Sequence, residues 1–466
     1  MTSLIVIGGG MSGLVCAVRA AELGADVLLL EQGEGERYPC SARSSGGIFH
    51  VSYHDMKADP EDLVRVLQTA MKGDLNLDVA RTVAGTAGRF IDWLGEQGAA
   101  YTDESPIDWH RWSMAPQRPP SGGMVWNDWG PDLTLRALVA RFAERGGRML
   151  QGARVGDLII EDERCVGVMA ATPAGIERFT ASAVVIADGG FPANPAMIKQ
   201  YIGPNPDRMV LRSAGTARGD GIRMAERAGA ALVKMDRFYG HLLAHAALLR
   251  PGLWPYPQLD TVASAGLVVR ADGRRFTDEG PGGIWLSNEI AKLDDPAETV
   301  AIFDRDIWEG PGRQTLCPAN PNAEQRGAVL HQADSIEDLA AKAGLPAAAL
   351  VETVRRYNVA VADGIADRLD PPHSPYQGRL WPILKPPFMA MPLSVGLTNT
   401  MGGIQIDGDC HALRADGSII DGLYAIGSST GGLEGGGTIG YGGGLAKAGT
   451  LGMHAAEVIA GYRPNA

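Results

Sequence analysis

The chain has 466 residues, with 42 Lys and Arg against 54 Asp and Glu and a net charge of −12, which argues against a general nucleic-acid or anionic-membrane binder. Hydrophobic residues at 45% and charged residues at 21% suit a large buried core in two or three domains and exclude a disordered chain. Glycine is in excess at 62 residues without a collagen-like period, which points to tight turns and backbone pressed against a ligand. Five dispersed cysteines, Cys16, Cys40, Cys165, Cys317 and Cys410, include no C-x-x-C pair and no C-x-x-C-H site. A disulfide framework, zinc site, iron–sulfur cluster or attached haem is therefore not expected, and no metal is assigned. The N-terminal run lacks a basic leader and no stretch of about 18 uncharged apolar residues follows, so the expectation is a cytoplasmic protein without an integral membrane segment.

In chain order, Leu4 to Ile7 reads as a strand, Gly8-Gly-Gly10-Met11-Ser12-Gly13 as a turn, and Leu14 to Leu23 as a helix. A second apolar run from Ala25 to Leu30 ends in Glu31, which completes a βαβ unit with an acid at the tip of its second strand. Gly8 permits the tight turn, Gly10 lets a pyrophosphate approach the backbone, and Gly13 lets the helix pack on the strand. The helix N-terminus, with Met11 and Ser12, offers N–H groups to an anion. Glu31 is placed to accept from a ribose diol, with Gln32 beside it. This unit predicts dinucleotide binding, and the motif alone leaves FAD and NAD both open.

Next comes a small-residue loop, Ser41-Ala-Arg-Ser-Ser45-Gly46-Gly47-Ile48, suited to a flat ligand. Gly152 to Val155 and Cys165 to Val168 read as strands of a meander, with Val155 near the ligand. The strand Ala183 to Ala187 ends in Asp188-Gly189-Gly190, a second strand-to-glycine junction. Gly219-Asp220-Gly221 opens a helix from Ile222 to Ala228, with Asp220 placed to cap it or to bind a ligand hydroxyl. From Met235 to Pro372 aromatics, histidines and prolines replace the α/β rhythm, so a capping or substrate domain is placed at 235–372, with helices over Ser335 to Ala343 and Ala347 to Gly364. The flanking segments 1–234 and 373–466 form the nucleotide-binding domain. Glycines then crowd together through Met401-Gly-Gly403, Gly422 to Gly427, Gly435-Gly-Gly437 and Gly440-Tyr441-Gly-Gly443-Gly444, with Gly427, Ser428, Gly444 and Leu445 placed at the cofactor. A last helix spans Leu445 to Ile459. The fold class is α/β with α+β elements: a split Rossmann-like domain with an inserted cap.

Gly8-x-Gly10-x-x-Gly13 with Glu31, the Ser-Ser-Gly-Gly47 loop and Ala183-Val-Val-Ile-Ala-Asp-Gly-Gly-Phe191 resemble the FAD-binding flavoproteins of the fumarate reductase and succinate dehydrogenase superfamily. Gly219-Asp-Gly-Ile-Arg-Met-Ala225, Gly266 to Glu279, Thr400-Met-Gly-Gly403 and Gly422-Leu-Tyr-Ala-Ile-Gly427 extend the resemblance over almost the whole chain. It implies FAD as the cofactor, a mobile cap, and redox chemistry at a carbon–carbon bond beside a carbonyl or carboxylate. Fumarate reductases of this family carry a histidine before Thr-Met-Gly-Gly, where Asn399 stands here. They carry arginines where Pro281-Gly-Gly-Ile284 and Tyr441 stand. Gly440-Tyr-Gly-Gly-Gly-Leu445 instead resembles the 3-ketosteroid dehydrogenases, and Asp278-Glu-Gly280 with Gly-Gly-Leu433 resembles tricarballylate dehydrogenase.

The resulting expectation is an FAD-dependent dehydrogenase acting on a CH–CH bond next to a ketone or carboxylate, with hydride passing to flavin N5. Tyr441 and the Gly443 or Gly444 amide polarise the carbonyl. Gly444 and Leu445 begin the last helix, with N–H groups toward the flavin. The base is sought among Tyr239, His241 and His245, of which the resemblance favours His241. Trp109-His-Arg111-Trp112 and Arg118, followed by Trp126 and Trp129, offer an aromatic, basic segment over the substrate. Arg270, Arg274 and Arg275 are read as strand and turn, and Cys40 as incidental. The alternatives are a fumarate-reductase-like ene-reductase and an electron-transfer subunit of a larger complex. The partners are a small-molecule substrate and an electron acceptor the sequence does not name.

Overall fold

The structure is a computed structural model that describes residues 3–102, 107–118, 126–250, 256–315 and 317–463. Its central sheet has six strands in the order His411–Leu413, Ile419–Ala425, Ala183–Ile186, Leu4–Ile7, Val27–Glu31 and Arg148–Gln151. All neighbours run parallel except the terminal pair His411–Leu413 and Ile419–Ala425. Leu4–Ile7 lies in the middle, Leu4 facing Val27 on one side and Ala183 on the other. It is buried throughout, which is why its sequence is an unbroken apolar run instead of an alternating one. The helices Met11–Glu22 and Gly444–Ile459 pack together across the chain's two ends, and Gly452 lets the Ser12 carbonyl approach closely.

The expected meander is three-stranded, Arg154–Glu161, Arg164–Thr172 and Gly175–Thr180, antiparallel throughout. A second large sheet is built around the strand Phe388–Thr400, which pairs with Phe238–Ala244, Thr299–Phe303, His331–Ala333 and Met209–Leu211. Leu267–Arg270 extends it beyond Thr299–Phe303. This pairing crosses the expected boundaries at 235 and 372, because Met209–Leu211 precedes the first and Phe388–Thr400 follows the second. The helices Ile336–Ala343, capped by Ser335, and Ala347–Ala362 form as expected. The same region also holds Asp260–Ala265 and Gly283–Ala291. Asp260–Ala265 is almost wholly buried, so it shows no polar face to betray a helix. Among the described residues no helix is long and apolar enough to cross a membrane.

Candidate active site

One cavity of about 580 Å³ runs between the glycine turns of the central sheet and the second sheet. At the end beside the glycine turns lie Gly8, Gly10, Met11, Ser12, Glu31, Gln32, Ser41, Ser45, Gly46, Gly47, Val155, Ala187, Asp188, Gly189, Asp220 and Ser428. Gly10 is extended and leaves the first turn of Met11–Glu22 with neither a side-chain cap nor an acidic residue, so its N–H groups are available to an anion. A Cβ on Gly10 or Gly46 would meet no protein atom within 4 Å. Gly13, by contrast, does not line the cavity; a Cβ there would run into the Gly8 carbonyl. It is the packing glycine that the motif requires.

Glu31 is buried and accepts from the Gly9 and Gly33 amides at 2.6 and 2.7 Å. Burial raises its pKa against the pull of those amides. Asp188 accepts from the Gly221 amide at 2.7 Å and from Ser429 Oγ at 3.2 Å, and burial pushes it up to about 6. Asp220 does not cap its helix. Gly219, at φ +70°, is the cap residue of Asp220–Arg227, and the Asp220 carboxylate is held by Arg154 and Arg223. Gly427 stands behind the lining at φ +64°, against Ser12.

The other end is aromatic. Tyr239 and Tyr441 stack face to face with centroids 3.8 Å apart and planes 10° from parallel. His241 Nε2 lies 2.9 Å from Tyr239 Oη, and His241 Nδ1 lies 3.0 Å from Asp260 Oδ2. With Asp260 as acceptor, Nδ1 carries the proton and Nε2 accepts from the tyrosine. Burial is the main reason the His241 pKa is lowered, with Asp260 pulling against it. Burial pushes Tyr239 up to about 12 and Tyr441 well above the usual phenol range, so both are phenols at neutral pH. The Gly444 amide donates to Tyr441 Oη at 2.7 Å, which leaves the phenolic hydrogen free to donate elsewhere. Below this turn, Lys447 donates to Glu434 and to the Thr430 carbonyl, and Glu434 accepts from the Gly442 amide at 3.0 Å. This buried pair fixes the loop that carries Tyr441.

Two expectations for the oxyanion donors need correction. The Gly444 N–H is already spent on Tyr441, and Gly443 is absent from the cavity lining. Gly443 turns the chain at φ +107° against the His50 carbonyl. Leu445 and Gly444 do line the cavity, at the start of Gly444–Ile459 where the first N–H is taken by Tyr441. Of the aromatic, basic segment, Trp109, Gln117 and Arg118 reach the cavity; residues 119–125 lie outside the described residues. Trp112 turns away to Asp55 at 2.6 Å, and Trp129 precedes the helix Gly130–Glu144. Arg275 is buried against Glu279 and the carbonyls of Pro371 and Pro372. Arg274 stays in the turn, its amide donating to Asp272. His245 starts the short helix Ala246–Leu249 and does not line the cavity. Cys40 lines it as a free thiol.

Sequence reasoning missed Asp260, Arg212, His50 and Tyr53. His50 and Tyr53 stack at 4.9 Å and surround Tyr441, and burial pushes His50 down to about 4. The only sequence signal for these two was the polar-aromatic run just after the diglycine loop.

A family profile described as FAD binding domain matches residues 3–445. The chain belongs to this FAD-binding family. Its cofactor is FAD, and the open space at Gly10 and Gly46, the uncapped start of Met11–Glu22 and the buried Glu31 fit that group. The chain is 29% identical to an NADH:acrylate oxidoreductase of Vibrio harveyi, over 94% of this chain and 48% of that protein. It thus spans about half the length of that relative. It is 26% identical to a 4-oxocyclohexanecarboxylate 2-dehydrogenase of Sinomonas cyclohexanicum, over 98% of this chain and 92% of that protein. Among solved structures, the 3-ketosteroid-Δ4-(5α)-dehydrogenase of Rhodococcus jostii RHA1 shares the fold with a TM-score of 0.72. That match is 22% identical over 98% of this chain and 96% of the other.

Proposed function

We propose that this chain is an FAD-dependent oxidoreductase that removes two hydrogens from a CH–CH bond next to a ketone or carboxylate. The observation that carries this reading is the chain Tyr239–His241–Asp260 meeting Tyr441 face to face at the cavity end nearest the start of the last helix. Bound FAD supplies the acceptor for the hydride that leaves Cβ. Gly8, Gly10, Met11 and Ser12 would hold its pyrophosphate, Glu31 the ribose, and the diglycine loop with Gly444 and Leu445 the ring system.

Tyr441 donates its free phenolic hydrogen to the substrate carbonyl oxygen and so acidifies the neighbouring Cα–H. Tyr239 cannot ionise alone near pH 7, with its pKa at about 12. Its oxygen takes the Cα proton only as its own hydrogen passes to His241 Nε2, and Asp260 stabilises the cation that results. The proton therefore comes to rest on His241. Tyr239, His241 and Asp260 come from the proposed capping segment 235–372, and Tyr441 from the nucleotide-binding segment, so the two units assemble the site jointly.

The family relatives include an acrylate oxidoreductase as well as a dehydrogenase, and the same residues run in reverse would reduce an activated alkene. Anaerobic mixing of the oxidised holoenzyme with a saturated cyclic ketone or keto acid is the test. Loss of the visible flavin absorbance supports dehydrogenation. No bleaching by any saturated substrate, with rapid reoxidation of reduced enzyme by an enoate, would replace it with the reductase.

A further inference from the structure

In the proposed reaction Tyr441 gives one hydrogen bond to the substrate carbonyl, and the Gly444 amide is no second donor because Tyr441 Oη takes it at 2.7 Å. Another group in the lining has a hydrogen to give. His50 lines the cavity with Tyr53, Trp109 and Tyr441. Its ring stands T-shaped to that of Tyr441, with centroids 5.8 Å apart and planes at 71°.

The backbone fixes which nitrogen of His50 carries that hydrogen. The Tyr53 amide donates to His50 Nδ1 at 3.1 Å, so Nδ1 is the acceptor and the hydrogen of the neutral ring sits on Nε2. The ring is neutral because burial, with His110 and His54 adding to it, pushes its pKa down to about 4. The turn that delivers the amide is strained, with Ser52 and Tyr53 both in the left-handed region at φ +45° and +63°. It is also tied to the loop that carries Tyr441. The Ser52 amide donates to the Gly442 carbonyl at 2.9 Å, and Gly443 packs against the His50 carbonyl. Holding the turn together uses Nδ1 alone. Among the described residues no protein acceptor takes the Nε2 hydrogen.

We infer that His50 is a second catalytic donor, whose neutral imidazole gives its Nε2 hydrogen bond to the substrate carbonyl oxygen alongside Tyr441. It then holds the enolate oxygen that forms as the Cα proton leaves. The inference rests on the reading of this cavity as the place where a carbonyl is polarised, and it applies to either direction of the reaction. Nε2 keeps its hydrogen throughout, and no proton passes through His50. A neutral imidazole suits this task, because its bond strengthens as charge develops on the oxygen without the proton being surrendered. A strained turn beside the cavity has its reason in fixing that tautomer.

The test uses 4-cyanophenol, a planar mimic of the enolate, titrated into the FAD-loaded enzyme and followed by the perturbation of the flavin spectrum. His50→Asn puts an amide oxygen where Nδ1 accepts from Tyr53 and offers no donor at the Nε2 position, whereas His50→Gln reaches that position with an N–H. The Kd should rise about tenfold in His50→Asn and return to within about threefold of the wild type in His50→Gln. In turnover, kcat/KM should fall about 100-fold in His50→Asn. Equal binding by the wild type and His50→Asn overturns the inference, as does a wild-type enzyme that does not bind the phenol. A measurement on the wild-type protein, with isotope-labelled imidazole nitrogens, needs no variant to fold. There a histidine Nε2–H signal should move on adding 4-cyanophenol, and a signal that stays in place overturns the inference. Among the described residues the lining histidines are His50 and His241, and His241 carries its hydrogen on Nδ1, facing Asp260. If Tyr441→Phe binds the phenol as the wild type does while His50→Asn does not, the role of Tyr441 falls and that of His50 stands. If no saturated ketone bleaches the flavin while His50→Asn still weakens phenol binding, the dehydrogenase reading falls and the second donor stands.

Discussion

Tyr441 has two possible hydrogen-bond roles, and its surroundings decide between them. Its oxygen already accepts from the Gly444 amide and its pKa is far above neutrality, so what remains is to donate. Tyr441→Phe should therefore keep its FAD, measured by the flavin-to-protein absorbance ratio, while kcat/KM drops about 100-fold. Unchanged turnover would remove Tyr441 from the mechanism. His241 must be neutral to take a proton, and burial holds its pKa below the usual 6.5. The kcat/KM profile should then stay level as pH falls through 6.5 and decline only below it; an acid limb centred at or above 6.5 would count against this role. Asp260→Asn loses the tautomer control and the counter-charge, with an expected loss in kcat of about 100-fold or more. Tyr441 was legible in the sequence because glycines flank it in a crowded run. Asp260 was not, since it lies 19 residues beyond His241 in a stretch without motif or periodicity. A turn and a buried helix bring it back, and nothing local announces either.

At the scale of elements, the strand–turn–helix that opens the chain separates glycines by what each one makes room for. Gly10 borders open space and has an extended backbone that any residue adopts, with φ −75° and ψ −173°. Gly13 faces the Gly8 carbonyl at contact. Gly10→Ala should leave the FAD-free protein as stable as before, or firmer by up to about 1 kcal/mol, while FAD affinity drops at least about tenfold. Gly13→Ala should lose about 2 kcal/mol or more of stability with or without cofactor. Urea midpoints and flavin titrations on both variants check this, and the reading fails if the two glycines behave alike. The opening unit was legible because spacing, apolar run and terminal acid agree with one another. The strand Phe388–Thr400 was harder to place. It belongs by sequence to the returning C-terminal segment and by pairing to the second sheet, and a long-range pairing leaves no mark on local pattern.

At the scale of the whole molecule, Asp188 is the carboxyl at which three distant segments meet. It follows the central strand Ala183–Ile186, accepts from Gly221 at the start of one helix, and accepts from Ser429 in the C-terminal glycine-rich region. Burial lifts its pKa from the usual 3.8 to about 6. A carboxyl whose pKa is higher in the folded than in the unfolded state contributes stability that is fully present below pH 3.8 and is lost as pH rises through 6. The group faces the cavity and keeps some contact with water there, so the loss across this window is at most about 3 kcal/mol. Asp188→Asn keeps a side-chain acceptor for Gly221 and removes the titration. Compared with the wild-type protein at each pH, the variant should gain stability steadily between about pH 4 and 6 and level off above. Because the comparison is differential, the opposing contribution of His50, held at about 4, is common to both proteins and drops out. Urea denaturation of the two proteins at a series of pH values gives the difference directly. Parallel stability curves would mean that Asp188 is ionised as readily in the folded chain as in the unfolded one, and that the junction of the three segments is wetter than its hydrogen bonds imply.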